Sequence, residues 1–216
     1  MPEPDAVLLS GDVADHALDA EYEQVRELVA PLQAPLYVLP GNHDRRLALR
    51  RNFGLPGADD EPVQYAAEIG PLRLVVLDTT RAGEDGGWLD ADQLSWLDAT
   101  LAAARDTPTL VALHHPPLLT GIPAFDAIGL AAEDRLAFGQ VVAAHPQVRR
   151  ILGGHVHRTI SGELGGRSVL ALTSTYVQSR LDFGTEEIEL SPDDPNCFAV
   201  HAWLDGQLVS HVQAVR

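Results

Sequence analysis

The sequence contains no lysine; all 15 basic side chains are arginine. We read that bias as the coding habit of a GC-rich genome, without functional content. Positive charge of any kind is scarce. Against 15 arginines stand 31 Asp and Glu residues, giving a formal net charge of −16. Such a field repels phosphate polymers, so neither a nucleic acid duplex nor an anionic membrane is an expected partner. A small phosphate ester is not excluded, because bound metals can reverse the sign of the field locally. Cysteine occurs once, at Cys197. One cysteine forms no intrachain disulfide, which fits a reducing, cytoplasmic location. No apolar run approaches the roughly 20 residues that span a bilayer. The acidic start Met1-Pro2-Glu3-Pro4-Asp5 runs straight into an apolar stretch and does not read as a signal peptide.

What is present is one sizeable hydrophobic fraction, 45% of 216 residues, enough for a single domain over 1–216. Apolar runs and helical periodicities alternate along the first two-thirds. Strands are expected at 6–9, 36–39, 63–69, 72–77, 109–113 and 148–152. Helices are expected at 21–32, 44–52, 90–104 and 131–144, with Asp90 as an N-cap. Two hairpins follow, turning at Gly165-Gly166 and Asp205-Gly206. The pattern predicts an α/β fold of mixed sheets covered by helices. The stretch 116–129 reads as a long loop with apolar contact surface at Ile122, Phe125 and Ile128.

Four short motifs follow four of the strands: Gly11-Asp12-Val13-Ala14-Asp15, Gly41-Asn42-His43-Asp44, Leu113-His114-His115-Pro116 and Gly154-His155-Val156-His157. Loops at strand C-terminal ends are where α/β folds place ligand sites. Asp12, Asn42, His114, His155 and His157 are oxygen and nitrogen donors suited to divalent metals such as Mn, Fe, Co or Zn. Singly each motif is weak; four in order, each after a strand, point to one site. Other histidines lack ligand spacing: His145, His201 and His211 read as exposed or hydrogen-bonded. Arg45, Arg46, Arg50 and Arg51 read as a solvated helix face.

These motifs, with Leu77-Asp78-Thr79 and His114-His115-Pro116-Pro117, make the chain resemble the calcineurin-like metallophosphoesterases. Within them it looks most like class III 3′,5′-cyclic nucleotide phosphodiesterases and related glycerophosphodiesterases. The resemblance implies a four-layer α/β/β/α sandwich of two mixed sheets flanked by helices, and two divalent metal ions. It implies a metal-dependent phosphodiester hydrolase in which activated water attacks phosphorus in line. 3′,5′-Cyclic AMP or a similar small phosphodiester would be the substrate, with a homodimer as the assembly. Asp12 would bridge the metals. Asn42, His114 and His155 would complete one site and His157 would belong to the other. His43 would serve the leaving oxygen, oriented by Asp15, and Asn42, His43 and His115 would contact substrate. The family's opening Asp-x-His motif and its strand are not found ahead of Ala6. One complete metal site and one half-built site are therefore expected. That leaves two alternatives: a catalytically impaired metal-binding homologue, or a phosphomonoesterase of the same superfamily.

Overall fold

The apolar runs that precede the four motifs all form strands in the computed structural model, which describes residues 3–215. The first third of the chain holds β1 (Val7–Ser10), α1 (Asp19–Val29), β2 (Leu36–Leu39), α2 (Arg46–Phe53), β3 (Tyr65–Ile69) and β4 (Leu72–Val76). Next come α3 (Ala91–Ala102), β5 (Thr109–Ala112), α4 (Pro123–Ala127), α5 (Ala132–Ala143) and β6 (Val148–Gly153). The remainder is β7 (Ile160–Leu164), β8 (Arg167–Ala171), β9 (Gln178–Ser179), β10 (Leu190–Ser191), β11 (Cys197–Leu204) and β12 (Gln207–Ala214).

Six strands make one mixed sheet in the order β3-β4-β5-β6-β8-β7. Its four inner strands are parallel, and β3 and β7 are antiparallel edges. Strand alternation sends successive side chains to opposite faces. Val75, Val111, Ile151 and Val169 pack against Leu97 and Leu101 of α3 and Phe138 and Val142 of α5. The intervening Leu74, Val76, Leu110, Ala112, Leu152 and Leu170 meet Leu39, Tyr37, Trp203 and Leu208. These come from β2, β11 and β12, so a second β layer lies on that face. Behind it, Tyr22 of α1 and Ala48 and Leu49 of α2 pack on Val38 and Leu9. The layers are thus α, β, β, α, as expected. The second β layer differs from one continuous sheet. Among the described residues it is two separate pairs, parallel β1–β2 and antiparallel β11–β12.

Local rules explain the helix ends. Asp90 caps α3 by accepting from Gln93 N at 2.7 Å. Leu18 cannot cap α1, and Glu21 instead reaches back to Leu18 N at 2.8 Å. The stretch 116–129 departs from its reading as an apolar contact loop. Pro123 starts the short α4, and Ile122 and Phe125 are buried against Val156. Their apolar surface braces the last motif from within.

Candidate metal centre

Gly11 and Gly41 allow the first two motifs to close on each other. A side chain at Gly11 would run into the His114 ring, and one at Gly41 into the Asp12 carboxylate. Among the described residues six non-glycine residues have positive φ, and three of them are Asp12 (52°), His155 (64°) and His157 (52°). Left-handed backbone is costly for such residues, and its concentration at motif positions marks a functional site. Asp44 holds the turns together. Its carboxylate accepts from Gly41 N at 2.9 Å and from Val13 and Ala14 N at 3.1 Å each.

His114 is buried and its tautomer is set by geometry. Its Nδ1–H donates to the Ser10 carbonyl at 2.8 Å. The Nε2 lone pair then faces Asp12 Oδ2 and Asn42 Oδ1, each at 3.2 Å. Asn42 Oδ1 also lies 3.0 Å from His155 Nδ1, while His155 Nε2 is buried with no partner. Asp12 Oδ2, Asn42 Oδ1, His114 Nε2 and the His155 ring thus come together from four strand ends. A cation fits that arrangement, and the oxygen and imidazole donors suit a divalent metal. The charges agree. Burial would raise the Asp12 pKa, but the neighbouring His114 and the His43 N–H hold it well below the carboxylate range. Burial would lower His114, but Asp12 and the Ser10 carbonyl raise it above the usual imidazole value. Burial, and then the neighbouring His115 and His114, push His155 down to about 2.

The other sequence-predicted residues sit around this cluster. His115 lies close by, with ligand-type atoms of His114, His115 and His155 all within 4.8 Å of one another. Both its ring nitrogens are engaged. Nε2–H donates to the Asp85 carbonyl at 3.0 Å, and Nδ1 accepts from the Thr79 hydroxyl at 2.8 Å. Burial pushes its pKa down to about 3, so it is neutral and ties the 79–87 loop to the cluster. His157 lines a pocket of about 250 Å³ with Arg158, Thr173, Gln178 and Cys197, near enough to Asp12 and His155 for their charges to interact.

His43 is half-exposed beside Asp12. Its backbone N–H donates to Asp12 Oδ1 at 3.1 Å. Its Nδ1 bonds the backbone carbonyl of Asp15 at 2.8 Å, with the Asp15 carboxylate further off at 3.5 Å. The Asp15–His43 pair thus forms mainly through the main chain. Burial would lower the His43 pKa, but the Asp15 carbonyl and the charges of Asp12, Asp15 and Asp85 raise it.

Sequence reasoning missed the bracing residues. Asp78 is buried, pairs with Arg46 Nε at 2.8 Å, and accepts from Val63 N and from Thr80 N and Oγ1. It locks α2, which follows the second motif, to the end of β4. A buried carboxylate needs such partners, and the signal in the sequence was an Asp directly after an apolar strand.

Residues 1–159 match the sequence profile of the calcineurin-like phosphoesterase family. The chain belongs to that family. A probable cyclic nucleotide phosphodiesterase from Synechococcus is 37% identical, over 94% of this chain and 78% of its own length. The glycerophosphodiester phosphodiesterase GpdQ of Enterobacter lignolyticus is 34% identical, over 96% and 75%. The 3′,5′-cyclic adenosine monophosphate phosphodiesterase CpdA of Escherichia coli K12 is 31% identical, over 96% and 74%. Among solved structures, a dimetal phosphatase from Danio rerio matches at TM-score 0.66 and 21% identity, over 78% of this chain and 72% of that one. A purple acid phosphatase from yellow lupin matches at TM-score 0.72 and 16% identity, over 97% and 44%. Both support the fold. Members of the calcineurin-like phosphoesterase family use divalent metals, and the buried histidine cluster of this member could hold one.

Proposed function

We propose that this calcineurin-like phosphoesterase hydrolyses a small phosphodiester, with 3′,5′-cyclic AMP the leading candidate and glycerophosphodiesters next. The observation that carries the reading is the convergence of Asp12, Asn42, His114 and His155 on one point beside His43. A divalent cation held there (Mn, Fe, Co or Zn) would polarise the phosphoryl oxygens and lower the pKa of water. The chain's own groups do the rest. The Asn42 oxygen and the two imidazoles would hold that cation in place. His43, kept protonated towards neutrality by the carboxylates around it, stabilises charge on the departing ester oxygen or protonates it. The Asp15 carbonyl holds that ring in place. His115 supports the substrate wall through Asp85 and Thr79.

His157, which lines a second pocket, supports a second reading: one metal held well, a second poorly, and catalysis weakened accordingly. Among the described residues no helix is long and apolar enough to cross a membrane. A cytoplasmic homodimer of single-domain subunits completes the proposal. The test is hydrolysis of bis(p-nitrophenyl) phosphate and of cyclic AMP with added Mn. Turnover of both, with the diester faster than p-nitrophenyl phosphate, supports a phosphodiesterase. Metal binding without turnover supports the impaired homologue, and a faster monoester supports a phosphomonoesterase.

A further inference from the structure

A cavity of about 520 Å³ opens beside Asn42 and His43, on the side away from the histidine cluster. One wall is α2; the others are the loops around Asp59–Asp60 and Thr80–Gly83. Both loops are pinned. Arg50 donates to the carbonyls of Pro56, Asp59 and Glu61 at 2.8–3.0 Å. Arg46 donates to the carbonyls of Asp60 and Thr80 at 2.8 and 2.7 Å. Arg81 lies 3.8 Å over the Trp88 ring, which fixes its guanidinium on the cavity lip. The walls are thus set before any ligand arrives, the condition for a selective pocket.

The cavity gathers Arg45, Arg46, Arg51 and Arg81, four of the chain's 15 arginines, in a protein of net charge −16. Three have partners. Arg45 pairs with Asp19, Arg46 with Asp78, and Arg81 with Glu84. Arg51 is exposed on α2, and no ion pair or side-chain hydrogen bond holds it among the described residues. Of the four lining carboxylates, Asp19 pairs with Arg45 and Asp44 is bound by three backbone N–H groups, and among the described residues neither Asp59 nor Asp60 forms an ion pair with Arg51. A solvated helix face explains an exposed arginine, but not a preformed cavity that leads from it to His43.

We propose that this cavity is the subsite for the substituent of the phosphodiester, and that Arg51 selects substituents carrying an anionic group such as a carboxylate. The inference rests on the hydrolase reading for what occupies the adjoining centre. A guanidinium matches a carboxylate through two parallel N–H···O bonds, which an alkyl group cannot use. Arg81, stacked on Trp88 and paired with Glu84, lines the same cavity and leaves Arg51 as the cation free to meet the ligand.

The test is calorimetry on the Mn-supplied protein with two phosphate monoesters, ethyl phosphate and 2-phosphoglycolate. 2-Phosphoglycolate is expected to bind at least about 5-fold tighter. Arg51→Gln, on an exposed position that leaves the fold intact, should erase that difference and leave ethyl phosphate within about 2-fold. Equal affinities in the unaltered protein overturn the proposal, as does a difference that survives Arg51→Gln. Turnover of bis(p-nitrophenyl) phosphate is measured alongside. Hydrolysis with no calorimetric difference removes the subsite alone. A calorimetric difference without hydrolysis removes the hydrolase reading and leaves the subsite standing.

Discussion

His114 and His157 both stand just past the end of a parallel strand, in motifs that look alike in sequence. Their surroundings differ. The His114 ring is enclosed, its proton fixed on Ser10 and its lone pair aimed at Asp12 and Asn42. The His157 ring is only partly buried and lines a second pocket. The lesson is that a ligand-type residue becomes a ligand through what fixes its unused nitrogen and what shares its lone-pair direction. By that criterion we propose that the centre of this chain has one well-built side, around His114, and one loosely built side, at His157.

Substitutions on the two sides should separate by orders of magnitude. Asp12→Ala or His155→Ala should lower kcat/KM on a p-nitrophenyl diester by roughly 10³-fold and weaken metal binding. His157→Ala should lower metal affinity on the well-built side by less than about 10-fold. Equal losses from His155→Ala and His157→Ala would erase the distinction. Next in size, His43→Ala should cut kcat by about 10²-fold while metal affinity stays unchanged. A parallel loss of metal would make His43 a ligand and place its ring inside the centre.

The well-built side also depends on its brace. Asp78→Ala leaves the partly buried Arg46 without its carboxylate, strips Val63 N of its buried acceptor and frees the end of β4 from α2. A loss of about 3–5 kcal/mol is expected in denaturant unfolding. A loss under about 1 kcal/mol would show that α2 and the motif turn are held by apolar packing alone.

A smaller effect comes from β11–β12, away from the centre. Burial first, and then the charge of Arg150, push His201 down to about 4, where it bonds Ser210 Oγ at 2.6 Å. An unfolded histidine titrates near 6.5. Between these values the unfolded chain binds the extra proton, so stability is complete above about pH 6.5 and falls as pH drops towards 4. His201→Gln should reduce the drop in thermal midpoint between pH 7 and pH 5 by roughly 2–5 °C. An unchanged drop would assign acid sensitivity to the central histidines.

Much of this was legible in the sequence. Apolar runs at 36–39 and 109–113 were short, bounded by Pro or Gly, and could only be buried strands, so the motif loops were placed correctly. The Asp90 cap and both late hairpins carried their own turn chemistry. Other features depend on contacts distant in sequence. Nothing local says that Ile122 and Phe125 turn inward against Val156, because loop apolarity alone does not reveal its partner. The two-residue strands β9 and β10 have too few side chains for a period. The Asp15–His43 link was expected through a carboxylate, and a backbone carbonyl takes that place, an acceptor every residue carries and no motif encodes. The split of the second β layer is likewise a matter of which edges meet, not of strand propensity.

Counting metal is the most direct check on the unequal sides of the centre. The purified chain, stripped with chelator and titrated with Mn by calorimetry, should take up one tight equivalent, lost in Asp12→Ala and His155→Ala and kept in His157→Ala. Two tight equivalents of equal affinity, or loss of the first in His157→Ala, would contradict the account.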